Sequence, residues 1–391
     1  MRIACVLDLP LPSREMTAVQ VLQTLAALSR LGADVSLFVP VGPRWSARHE
    51  PPTPETLRAA YGIGCDFALH TCASLWPGGR KLEKLLHAIL ATSRVGRRRY
   101  DVLYTRNVLP ALGGILLGQP TVFETYRPLP WQFPSSRRLL KRAAARRACL
   151  GIVTHSELAR SAFVEAGLPP RKVKTVHNGF DAAAFSRAVT AFEARKALGL
   201  PERPTVCYAG RIAPLKRVDL VLAAAARMSE AQFVMAGALD AAEAEPLARE
   251  ARRLGVILPG FVTGERLALV LQAADVLIIP PSREPLERHG NTVLPLKAFE
   301  YLAAGRPIVT GEVEDTAELL RHGETALRVP PDDVAALTAA LRGLLADPAR
   351  RDAMGRAARQ RAQGLDWTAR GERLLAFMRE RLDAPHGSAV S

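Results

Sequence analysis

The sequence predicts an α/β protein made of two Rossmann-like domains whose parallel sheets face a central cleft. Short β-branched, apolar runs alternate with helical periodicity along most of the chain, as in consecutive βαβ units. Some of these runs, such as 276–279, are apolar throughout, which is typical of parallel strands covered on both faces. The 391 residues, 48% of them hydrophobic, are enough for two cores of ordinary size.

The first domain is expected over residues 1–185 and opens with a strand, a helix and a second strand. The helix, 17–31, repeats apolar residues on one side, and Gly32 follows it, where glycine can take the left-handed conformation that ends a helix. Residues 44–100 have a weaker pattern, with a loop at 51–54 and a helical stretch at 82–89. The strands are predicted at 3–7, 35–39, 102–105, 121–124, 151–154 and 173–176, and a further helix at 137–148.

The second domain is expected over residues 186–365, with its boundary near 182–200. A new alternating series starts after the proline-containing segment 200–204. Its strands are predicted at 205–209, 232–236, 256–258, 276–279 and 307–310, and its helices at 218–226, 246–254, 266–273 and 296–303.

The apolar runs and the cysteines of the sequence predict a cytoplasmic protein. The first apolar run ends at Asp8, too early for a signal peptide, and the run 108–118 is too short to cross a bilayer. The five cysteines are scattered, without Cys-x-x-Cys pairs or zinc spacing, which favours reduced thiols. We expect a cytoplasmic location, and a peripheral one on the inner face of the cytoplasmic membrane if the basic surface binds lipid.

Four segments resemble, in order and spacing, motifs of the retaining GT-B glycosyltransferases of the family 4 type. They are Val-His-Asn-Gly-Phe-Asp at 176–181, Ala-Gly-Arg with Pro-Leu-Lys-Arg at 209–217, Ala-Asp-Val to Pro-Ser at 274–282, and Glu-Tyr-Leu-Ala-Ala-Gly-Arg-Pro-Ile-Val at 300–309. The likeness covers about 150–370, and the first third matches in pattern more than in letters. It implies a GT-B fold and transfer of a sugar from a nucleotide-sugar, with retention of anomeric configuration by front-face attack. The segment Leu-Asp-Trp-Thr at 365–368 resembles the crossover of the family, which implies a C-terminal helix at about 366–384 that packs back on the first domain.

The resemblance assigns the donor site to the second domain. Arg211 and Lys216, after the strand 205–209 and beside Gly210, would neutralise the charge that develops on the leaving diphosphate. Glu300 would accept hydrogen bonds from the ribose hydroxyls. Asn291, Thr292 and Val293, just before the helix, would present backbone N–H groups to an anion.

Three positions depart from the family pattern. Many relatives have a glutamate where Thr292 stands, so Glu284 or Glu287 would supply that carboxylate, or Thr292 would contact the sugar itself. The loop after the first strand lacks the usual glycines and contains Ser13 and Arg14, which become candidate contacts.

Tyr126 stands where relatives often have a histidine, and either a contact with a sugar hydroxyl or plain packing fits it. His155 and His177 lie at predicted strand ends, where a histidine contacts ligand less often than it serves the structure. We expect neither a metal nor a cofactor, since no Asp-x-Asp follows a strand and Asp332-Asp333 falls in a loop that starts a helix.

The net charge of +15 needs a partner or a solvated surface. The stretch 137–148 contains six basic residues and no acid, and as a helix it would place Leu139, Leu140 and Ala143 opposite them. Such a helix either binds anionic lipid or packs with its arginines merely solvated. Nucleic acid is not expected, since no binding motif occurs and aromatic residues are only 6%.

The function predicted is a hexosyl- or mannosyltransferase that moves a sugar from a UDP- or GDP-sugar to a glycan or lipid-linked acceptor in cell-surface polysaccharide or glycolipid synthesis. The first domain would hold the acceptor. Because of Thr292 and Tyr126, a catalytically degenerate module that only binds nucleotide-sugar is the alternative. An epimerase of the same architecture would lack the Gly-Arg…Lys motif and the segment around Glu300, and an oxidoreductase would need a Gly-x-Gly-x-x-Gly loop where Leu9-Pro10-Leu11-Pro12 stands.

Overall fold

The computed structural model describes residues 1–13, 15–41, 51–64, 66–73, 80–239, 244–284 and 294–384. Contacts divide the chain into two compact units. Unit 1 consists of residues 1–177 together with the C-terminal segment from Trp367, and unit 2 is the continuous segment Asn178–Asp366. No helix in the described ranges is long and apolar enough to cross a membrane.

Unit 1 is built on a parallel sheet with seven strands among the described residues. Their order is β3-β2-β1-β4-β5-β6-β7, so the sheet grows outward in both directions from β1, as in doubly wound folds. The strands are β1 Arg2–Val6, β2 Asp34–Val41, β3 Ala68–Ala73, β4 Val102–Thr105, β5 Thr121–Thr125, β6 Cys149–Thr154 and β7 Val173–Thr175.

The helices of unit 1 connect these strands and cover the sheet. They are α1 Met16–Arg30, α2 Pro54–Tyr61, α3 Arg80–Arg97, α4 Val108–Leu116, α5 Leu129–Gln132, α6 Ser136–Ala145 and α7 Glu157–Glu165. Gly32 has a φ of 82° after α1, as predicted. The segment 51–54 is a loop only up to Thr53, because Pro54 lacks an N–H and suits the first turn of α2.

The last helix of the described chain, α16 Trp367–Asp383, belongs to unit 1 and packs against α1. Gly371 allows this close approach, since a Cβ there would lie 2.9 Å from Leu31 and 3.2 Å from Ala27. Leu374, Leu375, Phe377 and Met378 of α16 are buried in the same core as β1 and β2. Helix α16 therefore completes the core of unit 1.

Unit 2 contains a parallel sheet with six strands among the described residues, in the order β10-β9-β8-β11-β12-β13. The strands are β8 Thr205–Ala209, β9 Gln232–Ala236, β10 Ile257–Gly260, β11 Val276–Ile278, β12 Ile308–Gly311 and β13 Ala326–Val329. The helices are α8 Ala191–Leu198, α9 Val218–Ala225, α10 Glu245–Arg253, α11 Gly264–Gln272, α12 Leu296–Ala304, α13 Glu314–Ala317, α14 Val334–Ala346 and α15 Pro348–Ala362.

Several short-range sequence signals fix these helix ends. Thr190 and Glu193 form a reciprocal capping box at the start of α8, and Gly199 ends it in the left-handed conformation. Asp333 caps α14 through the Ala336 N–H, so the pair Asp332-Asp333 does lie in a loop that starts a helix. Two parallel α/β sheets with these connections confirm the predicted fold class.

Candidate active site

The carboxyl end of β8 carries a glycine held in a tight backbone contact. The Gly210 N–H donates to the Ala236 carbonyl at 2.8 Å, and its φ of 144° is one that residues with a side chain rarely adopt. A Cβ on Gly237 would lie 1.8 Å from the Gly210 oxygen, so only glycine fits there. The two glycines let the loops after β8 and β9 approach each other and fix where the next residue, Arg211, begins.

Arg211 and Lys216 lie on the loop that follows, and both side chains are exposed. The buried Tyr208 hydroxyl donates to the Arg211 carbonyl at 2.8 Å and so anchors the start of the loop. A 3-10 turn, Pro214–Lys216, ends it. Although Lys216 as a whole residue is exposed, desolvation of its ammonium group, together with the nearby Arg211 guanidinium, lowers the pKa of Lys216. The two cations are therefore close enough to act on one anion.

Arg217 adopts the left-handed conformation that favours glycine, with a φ of 50°. This conformation costs a residue with a side chain about 1 kcal/mol. The guanidinium compensates through ion pairs to Asp219 at 3.1 Å, to Asp332, and to Glu284 at 3.5 Å. It also donates to Ser282 Oγ at 3.2 Å. Arg217 thus joins the loop after β8 to the loop after β11, where Glu284 lies.

Helix α12 brings Glu300 to the same edge of the sheet. Tyr301 is buried, and its hydroxyl accepts a hydrogen bond from the Ala209 N–H at 2.7 Å, which holds α12 against the end of β8. Glu300 is half-buried and lies close enough to Lys297, one turn earlier, for their charges to interact. Burial raises the pKa of Glu300 to about 7, and the Lys297 ammonium offsets part of that rise.

Lys297 lies deeper than the other cations of this edge. Its Nζ is 3.9 Å from the centroid of the Tyr208 ring, and it occupies the space that a Cβ on Gly210 would enter, at 2.7 Å. Burial lowers the pKa of Lys297 to about 7, with Lys216 adding to the effect and Glu300 opposing it. The structure therefore brings Gly210, Arg211, Lys216, Lys297 and Glu300 together at one end of β8.

Some of the residues predicted for the site lie outside the described ranges. They are Arg14, Glu287, Asn291, Thr292 and Val293. Glu284 is described: it pairs with Arg217, and its N–H donates to Ser282 Oγ at 3.1 Å. A contact of any of these residues with a donor sugar stays a prediction.

In unit 1, the corresponding edge of the sheet is organised by Glu124 of β5. Its carboxylate accepts from His155 Nε2 at 2.8 Å and, on the other oxygen, from the Tyr104 hydroxyl and the Arg370 guanidinium, both at 2.5 Å. Arg106 lies 3.5 Å from it. Burial alone would raise the pKa of Glu124, but the charge of Arg370, together with the hydrogen bond from His155 and the charge of Arg106, holds it well below its usual value.

His155 is 2% exposed, and its burial lowers its pKa to about 4 in spite of the neighbouring Glu124, so the imidazole is neutral at pH 7. Tyr126 is half-buried, with its ring centroid 6.3 Å from that of His155 and 5.9 Å from the Arg106 guanidinium. Ser13 is tied down by its backbone, since its carbonyl accepts from the Tyr61 hydroxyl at 2.7 Å. Acceptor contacts by these three residues stay predictions.

The basic helix is α6, shorter than predicted because Arg146 leaves the helical conformation after Ala145. Leu140 and Ala143 are buried, as expected for its apolar side. The expectation for Leu139 was wrong: it is 50% exposed, among exposed basic residues, because the face that packs on the sheet passes through Leu140, Ala143 and Ala144. Trp131 and Phe133, just before α6, are also exposed.

Three features of these edges were not predicted. They are the position of Lys297, the ion pairs of Arg217 and the buried pair Glu124–Arg370. Each of them depends on contacts between distant parts of the chain. The one available signal was an acidic residue, Glu124, inside a short strand whose other residues are apolar or threonine. Within the described ranges, no three His, Cys, Asp or Glu side chains are grouped so that they could hold a metal ion.

Two family models match the chain. Residues 17–184 match Glycosyltransferase Family 4, and residues 203–347 match Glycosyl transferases group 1. The D-inositol 3-phosphate glycosyltransferase of Kribbella flavida is 34% identical, with 54% of this chain and 52% of that protein covered. The protein of the same name from Kineococcus radiotolerans is 27% identical, with 92% and 89% covered. A sulfoquinovosyl transferase of Arabidopsis thaliana is 27% identical, with 59% and 44% covered.

The match spans only about half the length of most of these curated relatives. Solved structures share the fold over nearly the whole chain. Anabaena HepE, in complex with UDP and glucose, has a TM-score of 0.71 at 19% identity, with 97% of this chain and 100% of that chain covered. Sucrose-phosphate synthase from Thermosynechococcus elongatus has a TM-score of 0.74 at 21% identity, with 98% and 100% covered. Both likenesses are to GT-B folds.

Proposed function

The chain belongs to the group 1 glycosyltransferases of family 4, and we propose that it transfers a hexosyl or mannosyl group from a nucleotide-sugar to a glycan or lipid-linked acceptor. The observation that carries the proposal is the meeting of Arg211, Lys216 and Glu300 at the carboxyl end of β8, where open α/β sheets bind ligands. A nucleotide-sugar offers a diphosphate to the cations and a ribose diol to the carboxylate.

The donor reaction follows from this charge arrangement. As the bond between the anomeric carbon and the diphosphate oxygen breaks, negative charge grows on the leaving group, and Arg211 and Lys216 stabilise it. The acceptor hydroxyl attacks from the same face, and its proton passes to the leaving diphosphate as the new glycosidic bond forms. The configuration at the anomeric carbon is retained. Interactions that strengthen in this way only in the transition state accelerate the reaction.

The relatives support a donor with a uridine base and an acceptor rich in hydroxyls. HepE has been solved with UDP and glucose and with UDP-glucose, and the relatives from Kribbella flavida and Kineococcus radiotolerans are both called D-inositol 3-phosphate glycosyltransferase. We place the present protein in cell-surface polysaccharide or glycolipid synthesis, with the acceptor held by unit 1 and with protein cations supplying the positive charge at the donor diphosphate.

Thermal stability in the presence of UDP-, GDP- and ADP-sugars tests the donor site. A ligand at about one hundred times its dissociation constant adds roughly 2.7 kcal/mol to the free energy of unfolding. We expect one nucleotide class to do so in the wild type, and the effect to be lost in Arg211→Ala and Glu300→Ala. Arg203→Ala, an exposed arginine elsewhere in unit 2, is the matched control.

Release of free nucleoside diphosphate on addition of candidate acceptors then separates the enzyme from the alternative of a degenerate module. A module that only binds nucleotide-sugar would show the stability shift but would release no nucleoside diphosphate with any acceptor. Stabilisation by none of the nucleotide-sugars would contradict the donor-site proposal.

The surface formed by α5, α6 and the residues between them supports an anionic membrane as a partner on the acceptor side. Exposed cations lie there beside exposed apolar side chains, a combination suited to lipid headgroups and the interface below them. The cations are Arg137, Arg138, Lys141 and Arg142, and the apolar residues are Trp131, Phe133 and Leu139. A solvated basic surface would not require the aromatic residues to be exposed.

Flotation with vesicles tests this partner. We expect the wild type to float with vesicles that contain anionic lipid and to stay behind with purely zwitterionic ones. A variant with Arg137, Arg138, Lys141 and Arg142 changed to Gln should lose the preference, whereas one with Arg350, Arg356 and Arg379, exposed cations elsewhere, changed to Gln should keep it. Equal flotation with both lipid types would remove the support for a membrane partner.

A further inference from the structure

We infer that Lys297 is a third cation of the donor site and that its ammonium binds the diphosphate of the nucleotide-sugar. The inference deepens the proposed function and rests on it. The geometry that carries it is the position of Nζ, against the backbone of Gly210 and over the ring of Tyr208, at the end of β8 from which Arg211 and Lys216 project.

The position is costly for a cation in the absence of an anion. Lys297 is the second residue of α12, and the N-terminus of a helix carries a partial positive charge that disfavours a lysine. In the described part of the chain, Nζ makes no ion pair and no hydrogen bond; the Tyr208 ring, at 3.9 Å, is its one favourable electrostatic contact at short range. Glu300 attracts it from a greater distance.

The groups around Lys297 come from two elements besides its own. Those facing it are Cys207 and Tyr208 on β8, Lys216 and Arg211 on the loop after β8, and Glu300 on α12. Arg217, on the same loop, is already paired with Asp219, Asp332 and Glu284. The other three cations, Arg211, Lys216 and Lys297, have Glu300 as the described carboxylate nearest to them, and its pKa is itself raised. A dianionic diphosphate would balance the excess of positive charge and leave Glu300 to bind the ribose.

Binding then changes the protonation of Lys297. In the free protein, burial holds its pKa at about 7, so at pH 8 most of the amine is neutral. A diphosphate beside it favours the ammonium, which forms by taking a proton from solvent. Nucleotide binding at pH 8 should consequently consume close to one proton per molecule bound.

Isothermal titration of the full protein with UDP at pH 8, in two buffers of different ionisation enthalpy, counts these protons. The terminal phosphate of UDP, whose pKa is about 6, is already ionised at this pH and contributes none. We expect nearly one proton taken up by the wild type. Lys297→Met should lose this uptake and bind about tenfold to a hundredfold more weakly, as for a lost charge-assisted hydrogen bond. GDP and ADP are titrated in parallel, in case the base is not uracil.

The controls separate Lys297 from its neighbours and from the donor site itself. Lys196→Met, an exposed lysine of unit 2, should behave like the wild type. Unchanged affinity and unchanged proton uptake in Lys297→Met would overturn the inference while leaving the donor site intact. Binding of UDP to the wild type without proton uptake would also overturn it, and this result does not depend on whether the variant folds. Failure of the wild type to bind any of the three diphosphates would contradict the proposed function, and this inference with it.

Discussion

Glu300 and Lys297 lie one helical turn apart on α12, and burial acts on them in opposite directions. It raises the pKa of the carboxyl group and lowers that of the ammonium, so both lie near 7. Each group is useful to a nucleotide-sugar only in its charged form: the carboxylate accepts from ribose hydroxyls, and the ammonium neutralises phosphate. Donor affinity should therefore be greatest close to neutral pH.

The acid side of this profile belongs to Glu300. Because its pKa is raised, the carboxyl group is protonated below about pH 7, and donor affinity should fall by up to about tenfold per pH unit as the pH drops further. Titration with a nucleotide-sugar, whose diphosphate has no group that titrates near neutrality, measures this. Glu300→Gln should bind weakly and lose the slope. The same slope in wild type and variant would assign the titration to another group.

Sequence motifs alone led to Arg211, Lys216 and Glu300, and the structure brings them to one edge of unit 2. Lys297 was not predicted, since a lysine at the start of a helix is ordinarily solvated. Its surroundings are made by Tyr208 and Gly210, almost ninety positions earlier in the chain, and periodicity along α12 contains no information about them.

At the scale of elements, α16 is held by one buried guanidinium. Arg370 is 1% exposed and donates to Thr24 Oγ1 at 3.1 Å, to the carbonyls of Val176 and His177 at 2.8 and 2.7 Å, and to Glu124. It thereby joins α1, β5 and the segment after β7 to the last helix. Such a group is costly to remove, because its partners are left buried and unpaired.

Arg370→Met should lower the free energy of unfolding of unit 1 by about 3–5 kcal/mol. The low pKa of Glu124 means that the contribution of the pair is present at neutral pH and is lost only in strong acid. Urea denaturation followed by circular dichroism measures the change. Arg373→Met, an exposed position on the same helix, should stay within about 0.5 kcal/mol of wild type. Equal losses in the two variants would mean that the buried network contributes little.

Elements were predicted best where a strand is mostly apolar and fully buried. The predicted and observed limits of β8 and β9 coincide, at 205–209 and 232–236. Strand β3, Ala68–Ala73, was missed because it is an edge strand whose sequence includes His70 and Thr71, so its pattern is weak. The end of helix α6 was predicted three residues too late, since nothing local in its run of Ala and Arg marks the end at Ala145.

At the scale of the whole molecule, unit 1 depends on both ends of the described chain. Leu374, Leu375, Phe377 and Met378 of α16 are all 5% exposed or less, in the core that contains β1, β2 and α1. Without α16, an apolar surface of unit 1 would meet water. Unit 2 has no such dependence, because it is one continuous segment.

Truncation after Asp366 should therefore damage unit 1 and spare unit 2. We expect the truncated protein to aggregate or to lose the cooperative unfolding of unit 1, while segment 178–366 expressed alone stays folded. Gel filtration and thermal unfolding report both results. A truncated protein that remains monomeric and keeps the full unfolding transition would show that α16 adds little to the core.

This division of the chain has a consequence for its synthesis. On the ribosome, the described strands of unit 1 emerge first. Helix α16, which packs against α1, emerges only after the 189 residues of unit 2. Unit 2 can complete its fold as soon as it leaves the exit tunnel, whereas unit 1 waits with part of its core open. We expect nascent unit 1 to be the part that occupies a chaperone until α16 has emerged, so the unit that is made first becomes native last.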